Sequence, residues 1–488
     1  MNRSIIRYIL GWVLTVEGLL MLSVCAAALW YGESQGWIYL AVGAGAALLG
    51  FALTRKKPAS TVFYLKEGCV STALSWILMS LVGCLPLYLT GEIPSFTDAM
   101  FEIVSGFTTT GASILSNVEA LSHCALLWRS LSHWIGGMGV LVFLLAVVPL
   151  NGGYHMNLMR AESPGPSVGK LVPKVRATAR ILYLIYIGMT AVELILLLLG
   201  NMPTFEAICT SMATAGTGGF GIKNDSMASY SVYIQWVVTV FMLLFAVNFN
   251  AYYFLLLRRF REALSMEEVR CFFGIVLGAI AVIFFSILKT SAGAFDALTK
   301  AAFQVASVIS STGYATTDFN LWPETARLVM VLLMFVGACA GSTGGGFKVS
   351  RLVILVKSIK KEMAGYIHPH SVKKVKMDGK PIEHEVIRST NVYFITFMLI
   401  YVTSVFLVSL EGQDLGTCFT AVLATFNNIG PGLNAVGPAA NFGVLSGFSK
   451  WVLIFDMLAG RLELFPILKL FHPGLWKEAH ASRRQNRR

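Results

Sequence analysis

The sequence predicts an all-α polytopic membrane protein, and both its composition and its internal pattern support this class. Of its 488 residues, 56% are hydrophobic and only 13% are charged, with a mean hydropathy of +0.68. A soluble chain of this length would divide into domains with charged surfaces. This chain instead contains many apolar runs of roughly 20 residues, the length that an α-helix needs to cross a hydrocarbon core. A short glycine-centred motif also recurs four times, and an internal repeat of this kind governs the architecture.

The first element is a hairpin of two apolar helices, predicted at residues 7–30 and 37–54 with a polar turn between them. The first apolar run is too long for a signal peptide and lacks a small-residue cleavage site, so it is interpreted as a helix. The hairpin defines a first segment, residues 1–57. Four units of similar length follow it: residues 58–160, 161–262, 263–375 and 376–488.

Each unit has the same order of parts: a spanning helix, a shorter apolar segment, a glycine break and a second spanning helix. The shorter segments are predicted at residues 96–107, 204–212, 294–309 and 416–426. The second spanning helices are predicted at residues 124–150, 232–257, 325–359 and 447–471. The shorter segments cannot span, which favours re-entrant half-helices. Asp98, Asp296 and Asp414 give three of them an acidic start, as is typical of a helix N-terminus.

Four breaks at membrane depth imply a shared interior. Non-helical backbone is tolerated there only when it is buried in protein or lines an aqueous cavity. The prediction is therefore an N-terminal two-helix hairpin plus four pseudo-repeated helix–pore-helix–helix units around one central pore, with ten spanning helices in all. Ordinary external loops are the alternative interpretation of the breaks.

The net charge of +12 does not indicate nucleic-acid binding, because the basic residues lie in clusters between the apolar runs. These clusters are at residues 55–57, 170–180, 258–261, 357–376 and 483–488. This positive-inside pattern places the loops and the C-terminus in the cytosol, beside membrane lipid. The same surface is available to a cytosolic partner.

The sequence offers no constellation typical of an enzyme. It contains no HExxH or GxSxG pattern, no Walker A motif and no Rossmann fingerprint after a strand. The eight cysteines are scattered without a CxxC pair, which favours buried thiols over disulfides or a metal site. An enzyme is therefore disfavoured, and any nucleotide dependence would come from a partner.

The repeated motif places small residues before a glycine. Its copies lie at residues 108–112, 215–219, 310–314 and 427–431. A desolvated monovalent cation needs a ring of oxygens, and backbone carbonyls supply one without fixed charge. Glycine adopts the unusual backbone angles that aim such carbonyls, and the C-terminal ends of the half-helices favour cations. The candidate K⁺-binding residues are Thr109, Thr110, Gly111, Thr217, Gly218, Thr312, Gly313, Asn428, Ile429 and Gly430.

These stretches resemble the Trk/Ktr/HKT superfamily of cation transporters, and within it the bacterial TrkH-type potassium uptake subunits. The similar stretches are residues 105–112 (SGFTTTGA), 133–139 (HWIGGMG), 310–319 (SSTGYATTDF), 341–346 (GSTGGG) and 427–433 (NNIGPGL). The resemblance covers almost the whole chain. It implies potassium passage, a fourfold pseudosymmetric pore in one chain, homodimers and a cytosolic nucleotide-binding regulatory partner of the TrkA type.

The resemblance also bears on selectivity. In this superfamily a serine in place of the first filter glycine goes with sodium-preferring plant members, so Gly111 supports potassium. Extra glycines at Gly216 and Gly219 leave the register of the second copy open by one residue. Bulkier residues lead the fourth copy, which makes its carbonyl ring less regular.

A second glycine cluster, residues 337–346, interrupts an otherwise apolar span and should break a helix. A close-packing patch of small residues is the alternative. The resemblance implies an intramembrane gate loop under the filter, within the third unit. The candidate gate residues are Gly344, Gly345, Gly346, Lys348 and Arg461.

Charged residues in the apolar stretches receive individual interpretations. Lys348 is expected to snorkel to the cytosolic interface. The resemblance places Arg461 opposite the gate loop as an electrostatic barrier, and snorkelling at the cytosolic end is the alternative. Glu102, in the first pore helix, is expected to stabilise filter backbone rather than contact the ion.

The predicted function is potassium uptake across the bacterial cytoplasmic membrane by a multi-pass protein, channel-like and regulated by a cytosolic subunit. Coupled symport of K⁺ with H⁺ or Na⁺ is the alternative, although no helix carries a chain of Asp, Glu and His that would relay protons. A receptor or scaffold would not explain four matched breaks.

Overall fold

The computed structural model describes residues 1–58, 63–139, 175–368 and 374–474. Helices dominate this part of the chain, which confirms the all-α prediction. The strands described are β1 (Lys376–Met377) and β2 (Lys380–Pro381), which pair antiparallel around a turn at Asp378 and Gly379. This small hairpin lies at the start of the fourth unit, before its first helix.

The N-terminal hairpin consists of α1 (Arg3–Tyr31) and α2 (Gly36–Thr54). Glycines let the two helices approach closely: a Cβ at Gly43 would lie 2.9 Å from the carbonyl oxygen of Gly18. Small residues at such an interface are typical of helix pairs in membranes.

Within the described residues, six helices are long and apolar enough to cross a membrane, or seven spans if one bent pair counts as a single span. They are the two hairpin helices and the first helix of every unit: α3 (Leu65–Leu89), α6 (Val175–Leu199), α11 (Glu267–Ile287) and α15 (His384–Ser409). The multi-pass character predicted from apolar runs is confirmed.

The shorter segments form separate helices that precede the glycine breaks. They are α4 (Phe96–Phe107), α7 (Thr204–Ala215), α12 (Ala294–Ile309) and α16 (Leu415–Phe426). Their side chains are mostly buried, especially toward the C-terminal ends. The side chains of Ser95 and Asp414 cap α4 and α16 by accepting a backbone N–H. We refer to these four as the pore helices.

The second helices differ from the prediction of continuous spans. In the second unit, α8 (Val232–Ala246) meets α9 (Phe249–Leu256) at a bend of 94°. In the third, residues 336–348 separate α13 (Glu324–Phe335) from α14 (Val349–Ile367).

The fourth unit breaks in the same way, between α17 (Gly447–Arg461) and α18 (Phe465–Leu470). Glu463 and Leu464 take left-handed angles at this break. In the first unit, α5 (His123–Gly137) ends earlier than predicted, before the left-handed Gly139, and residues 140–150 of the predicted helix lie outside the described residues. The glycine-rich stretch at residues 337–346 marks the break of the third unit in the sequence, whereas the other breaks carry no such run of glycines. The remaining helix, α10 (Phe260–Ser265), connects the second unit to the third.

Candidate cation pathway

The four glycine breaks share one backbone motif at the C-terminal end of each pore helix. In each, one N–H donates to the carbonyl five residues earlier at 2.8–2.9 Å, and these donors are Thr110, Gly218, Thr312 and Ile429. The residue before each donor is left-handed, with φ between 53° and 58°: Thr109, Thr217, Ser311 and Asn428. This pattern is a Schellman-type helix end. The four breaks are therefore structurally equivalent.

The shared geometry fixes the register that the sequence left open. The equivalent left-handed glycines have φ of 77°, 74°, 87° and 100°: Gly111, Gly219, Gly313 and Gly430. Gly218 instead occupies the position of Thr110. The prediction that Gly218 is equivalent to Gly111 is thus wrong by one residue. That prediction aligned Thr217-Gly218 with Thr110-Gly111 by residue type, whereas the hydrogen bonds make Gly219 the equivalent of Gly111.

The four motifs close into a ring in chain order. A Cβ at Gly111 would overlap the carbonyl oxygen of Gly218 in the next unit. The same close approach of a glycine to a carbonyl recurs around the ring, in the pairs Gly219 and Thr312, Gly313 and Ile429, and Gly430 and Thr110. Only glycine fits such approaches. The ten candidate K⁺-binding residues therefore lie together, with Gly219 added to them.

The ring offers neutral oxygens. In two units, side-chain hydroxyls at the glycine break form a hydrogen bond: Thr108 with Thr110 at 2.8 Å, and Ser310 with Thr312 at 2.7 Å. The Asn428 amide donates to the Thr110 hydroxyl at 2.9 Å and so joins the fourth unit to the first. Among the described residues, no group of three or more His, Cys, Asp and Glu side chains is placed to hold a metal ion. Neutral oxygens suit a monovalent cation that must enter and still leave.

A buried ion pair supports the chain where it leaves the ring. Glu102 accepts from the guanidinium of Arg129 at 2.8 and 2.9 Å and from the backbone N–H of Ile114 at 3.0 Å. Arg129 also donates to the carbonyl of Gly221 at 3.3 Å. The pair connects the first unit to the second, and its backbone contacts are to Ile114 and Gly221, beyond the ring rather than within it.

His133 is a site residue to which sequence reasoning gave no role. Its Nδ1 lies 2.8 Å from the carbonyl oxygen of Gly106, and its Nε2 accepts from the N–H of Phe220 at 3.2 Å. These partners assign the neutral Nδ1–H tautomer. The imidazole therefore joins the first pore helix to the residues that follow the second glycine break. The signal available in the sequence was a histidine within an apolar run.

The segment between α13 and α14, here called the intramembrane loop (residues 336–348), lies against the ends of the third and fourth pore helices. The N–H of Gly345 donates to the Ser311 hydroxyl at 2.6 Å, and the N–H of Phe347 donates to the Asn427 side chain at 3.2 Å. A Cβ at Gly344 would lie 2.8 Å from the Ser310 carbonyl oxygen. The glycines of this cluster interrupt the helix, as one interpretation predicted. They also allow close packing against the pore-helix ends, which was the alternative interpretation.

Arg461 reaches from the end of α17 to the intramembrane loop. Its guanidinium donates to the carbonyl of Thr343 at 2.9 Å and to those of Gly136 and Gly137 at 2.5 and 2.8 Å. It therefore joins the loop to the end of α5, and its role as an electrostatic barrier stays a prediction.

Lys348 differs from the expectation that it snorkels to the interface. It is only 2% exposed, and its ammonium donates to the carbonyl oxygens of Gly344 and Gly345. Free carbonyls within the loop attract the ammonium more strongly than a distant surface does. Of the five candidate gate residues, four lie within the intramembrane loop and Arg461 contacts it. Gly346 is the last residue of the loop with left-handed backbone angles.

Sequence reasoning also missed the pairing of Glu463. Its carboxylate forms an ion pair with Arg351 of α14, whose guanidinium lies 3.9 Å from the ring centroid of Tyr393. This contact joins the break of the fourth unit to the helix after the intramembrane loop.

Fold and site together define a polytopic membrane protein of the transport class, in which four glycine breaks of one chain meet in a ring. The chain belongs to the TrkH family: the family described as "Cation transport protein" matches residues 34–477. This membership makes it a transport protein rather than an enzyme, and a multi-pass protein of the cytoplasmic membrane.

Individual relatives agree over most of their length. The chain is 35% identical to the Trk system potassium uptake protein TrkH of Salmonella typhimurium over 422 residues, covering 85% of this chain and 86% of that protein. It is 33% identical to TrkG of Escherichia coli, covering 98% and 100%. The crystal structure of the potassium transporter TrkH from Vibrio parahaemolyticus superposes with a TM-score of 0.87 at 30% identity, covering 98% of this chain and 100% of that one.

Proposed function

We propose that this protein takes up K⁺ through a channel-like pore, with the ring of four filter segments as its selectivity filter. The observation that carries the proposal is the closed ring of equivalent backbone motifs, in which carbonyls from four units meet neighbouring glycines. The relatives named as potassium uptake proteins support K⁺ as the transported ion.

The ring acts by substitution of the water shell. Carbonyl oxygens replace water around the ion without a fixed charge that would trap it. The negative ends of four pore-helix dipoles add attraction for cations. Inward movement gains about 2.3 kcal/mol per 100 mV of membrane potential, so no covalent chemistry is needed.

The intramembrane loop is the proposed gate. It contacts the ends of two pore helices, while Lys348 and Arg461 place two cationic groups beside its carbonyls. A permeating cation would meet this barrier after leaving the filter. Displacement of the loop would open the path.

We also propose a homodimer that binds a TrkA-like cytosolic nucleotide-binding subunit. The basic clusters between spans form its docking surface, since a cytosolic regulator must act from that side. The expected result is that purified subunit and nucleotide change the flux of the reconstituted dimer.

The filter is tested by cation flux in proteoliposomes with K⁺, Rb⁺, Na⁺ and Li⁺. Wild type should favour K⁺ and Rb⁺, and Gly111→Ser should reduce the K⁺/Na⁺ ratio about tenfold, because a left-handed side chain costs about 1–2 kcal/mol. The control is Gly447→Ser, since a Cβ at Gly447 has no neighbour within 4 Å. An unchanged ratio in Gly111→Ser would contradict the filter assignment.

The gate is tested by deleting residues 341–346 in the same assay. Basal flux should rise, because the deletion removes the part of the loop nearest the filter. Unchanged flux in a folded deletion variant would exclude the loop as the barrier.

Symport of K⁺ with H⁺ or Na⁺ is the second candidate. The described part of the chain shows no ion-pair partner for the buried carboxyls of Glu17, Glu193 and Asp456, and such groups mark ion or proton paths in other membrane proteins. Flux that stops when a proton or sodium gradient collapses at constant potential would favour this mechanism over the channel.

A further inference from the structure

We propose that Glu268 is the positioning residue that holds the intramembrane loop closed, by binding both of its ends with one carboxylate. This inference rests on the proposed gate. Glu268 lies in the first turn of α11, outside the loop and outside the filter, and none of the motifs that identify the family contains it.

One oxygen of Glu268 makes both contacts. Its Oε1 accepts the N–H of Ala340 at 2.6 Å and the N–H of Ser350 at 3.1 Å. Ala340 lies in the first part of the loop, and Ser350 lies in the first turn of α14 just after it. The carboxylate therefore closes residues 340–350 into a ring, and the loop cannot straighten without breaking one of the two bonds.

The position suits a carboxylate for a physical reason. Helix α14 begins inside the protein, and its N-cap residue Lys348 makes no side-chain capping bond. The first N–H groups of a helix lack intrahelical partners and carry partial positive charge. Glu268 is only 4% exposed and has no ion-pair partner among the described residues, so backbone amides and the helix dipole compensate its charge.

Backbone bonds also join the two limbs of the loop directly. The N–H of Gly337 donates to the carbonyl of Phe347 at 2.8 Å, and the N–H of Val349 donates to that of Ala338 at 3.2 Å. The N–H of Cys339 donates to the carbonyl of Ala246 at 3.0 Å and attaches the first limb to the bend between α8 and α9. The two bonds to Glu268 extend this link to Ala340 and Ser350, and they are made from a separate helix, α11.

The beginning of α11 also contacts the cytosolic β-hairpin. The neighbouring Glu267 forms an ion pair with Lys357 of α14, and its N–H donates to the carboxylate of Asp378 at 2.7 Å. A partner that moves the β-hairpin would thereby move Glu268. The anchor thus lies on a continuous set of contacts from the cytosolic surface to the loop.

The experiment compares Glu268→Leu and Glu268→Gln in full-length protein, reconstituted without a partner. Leucine removes the acceptor, whereas glutamine retains a carbonyl oxygen that accepts both bonds. Glu67→Leu is the matched control, because it removes a carboxylate that is 2% exposed in the first turn of α3 and accepts backbone N–H groups of Asn2 and Tyr64 rather than of the loop. Retained elution volume and thermal stability exclude misfolded variants.

Two readouts separate the anchor from the gate. The first is basal Rb⁺ flux. The second is maleimide labelling of Cys339, a loop thiol that is fully buried in the closed conformation, with Cys339→Ser to assign the signal. In Glu268→Leu we expect Cys339 to become reactive and flux to rise about tenfold, as expected for the loss of a hydrogen bond to a charged group. Glu268→Gln should stay near wild type in both.

Protected Cys339 and unchanged flux in Glu268→Leu would overturn the proposal, and so would an equal response in Glu268→Gln or in the Glu67→Leu control. Reactive Cys339 without increased flux would support the anchor and contradict the proposed gate. Increased flux on deletion of residues 341–346, with no effect of Glu268→Leu, would retain the gate and remove the anchor.

Discussion

Four non-glycine residues at the glycine breaks have left-handed backbone angles. Thr109, Thr217, Ser311 and Asn428 are left-handed, where glycine is the ordinary choice. Each such residue costs about 1–2 kcal/mol relative to glycine. In exchange for this cost, each of these residues places a hydroxyl or amide next to the ring. The Ser311 hydroxyl accepts a hydrogen bond from the intramembrane loop, and the Asn428 amide donates one to Thr110. Sequence indicated the four sites, but only the backbone angles fixed their register.

The buried pair of Glu102 and Arg129 gives a first prediction at this scale. Arg129→Met should lower the free energy of unfolding by about 3–5 kcal/mol, because it leaves the buried Glu102 carboxylate unpaired. Adding Glu102→Gln should recover much of this loss. Thermal unfolding in detergent measures both variants.

The control is Arg327→Met, which breaks a pair with Glu324, a side chain that is 86% exposed. Such surface pairs contribute about 0–1 kcal/mol. A similar loss in both variants would contradict a special role for the buried pair.

At the scale of elements, the pore helices were predicted more accurately than the helices that follow the filter. The prediction for residues 96–107 and 294–309 matches α4 and α12, and α7 extends three residues beyond the predicted end. Their length and acidic starts are local signals. The breaks after α8, α13 and α17 depend on packing against other units, so only the glycine-rich one was visible in the sequence.

The cap of the fourth pore helix gives a pH-dependent prediction. Hydrogen bonds to the Asp414 carboxylate hold its pKa below the ordinary value of 3.8. The hydroxyl of Thr417 contributes most, and the backbone N–H of Thr417 and the side-chain amide of Asn434 add to it. Because the folded-state pKa is lowered, the ionised carboxylate stabilises the protein fully at pH values above 3.8. This stabilisation is lost as the pH falls through the folded-state pKa. Asp414→Ala should therefore reduce stability by about 1 kcal/mol at neutral pH, as for other caps.

The measurement is thermal unfolding of wild type and Asp414→Ala from pH 7 to pH 3. Their difference should shrink below about pH 4, where the unfolded carboxyl is protonated. Asp414→Asn retains an acceptor and should fall between them at neutral pH. A constant difference across this range would contradict the role of the charge.

Arg461 gives a prediction about the loop as an element. Arg461→Ala should raise single-channel conductance or basal flux, because it removes a cation together with the bonds to Thr343 and the end of α5. Arg461→Lys keeps the charge and should change flux less, although a lysine cannot donate to all three carbonyls at once. Equal conductance in wild type and Arg461→Ala would count against the barrier.

At the scale of the molecule, loops after the filter close the four units into a circle. Each unit bonds to the next in chain order, through the pairs Val118 and Asn224, Met227 and Ala315, Asn320 and Asn434, and Ser113 and Phe442. The last pair returns from the fourth unit to the first. This order matches that of the glycine–carbonyl approaches in the ring. The unit boundaries themselves, residues 58–160 to 376–488, stay predictions.

The orientation in the membrane gives a prediction for the whole chain. Asn224→Cys should react with a membrane-impermeant maleimide in intact cells, whereas Lys380→Cys should react only after permeabilisation. The reason is that Asn224 lies among the loops after the filter, opposite the basic clusters. The native cysteines give a low background, since all eight are buried or half-buried. The reverse labelling would invert the topology.

The sequence by itself determined the class of protein, the hairpin, the pore helices and the location of the four glycine breaks. These follow from hydropathy, segment length and a repeated glycine, which are properties of short stretches of chain. The tertiary structure decided the register at Gly219, the buried position of Lys348, the contacts of His133 and the position of Glu268 beside the intramembrane loop. Each of these depends on hydrogen bonds between residues far apart in sequence, because a buried polar group takes whichever partner the fold brings to it.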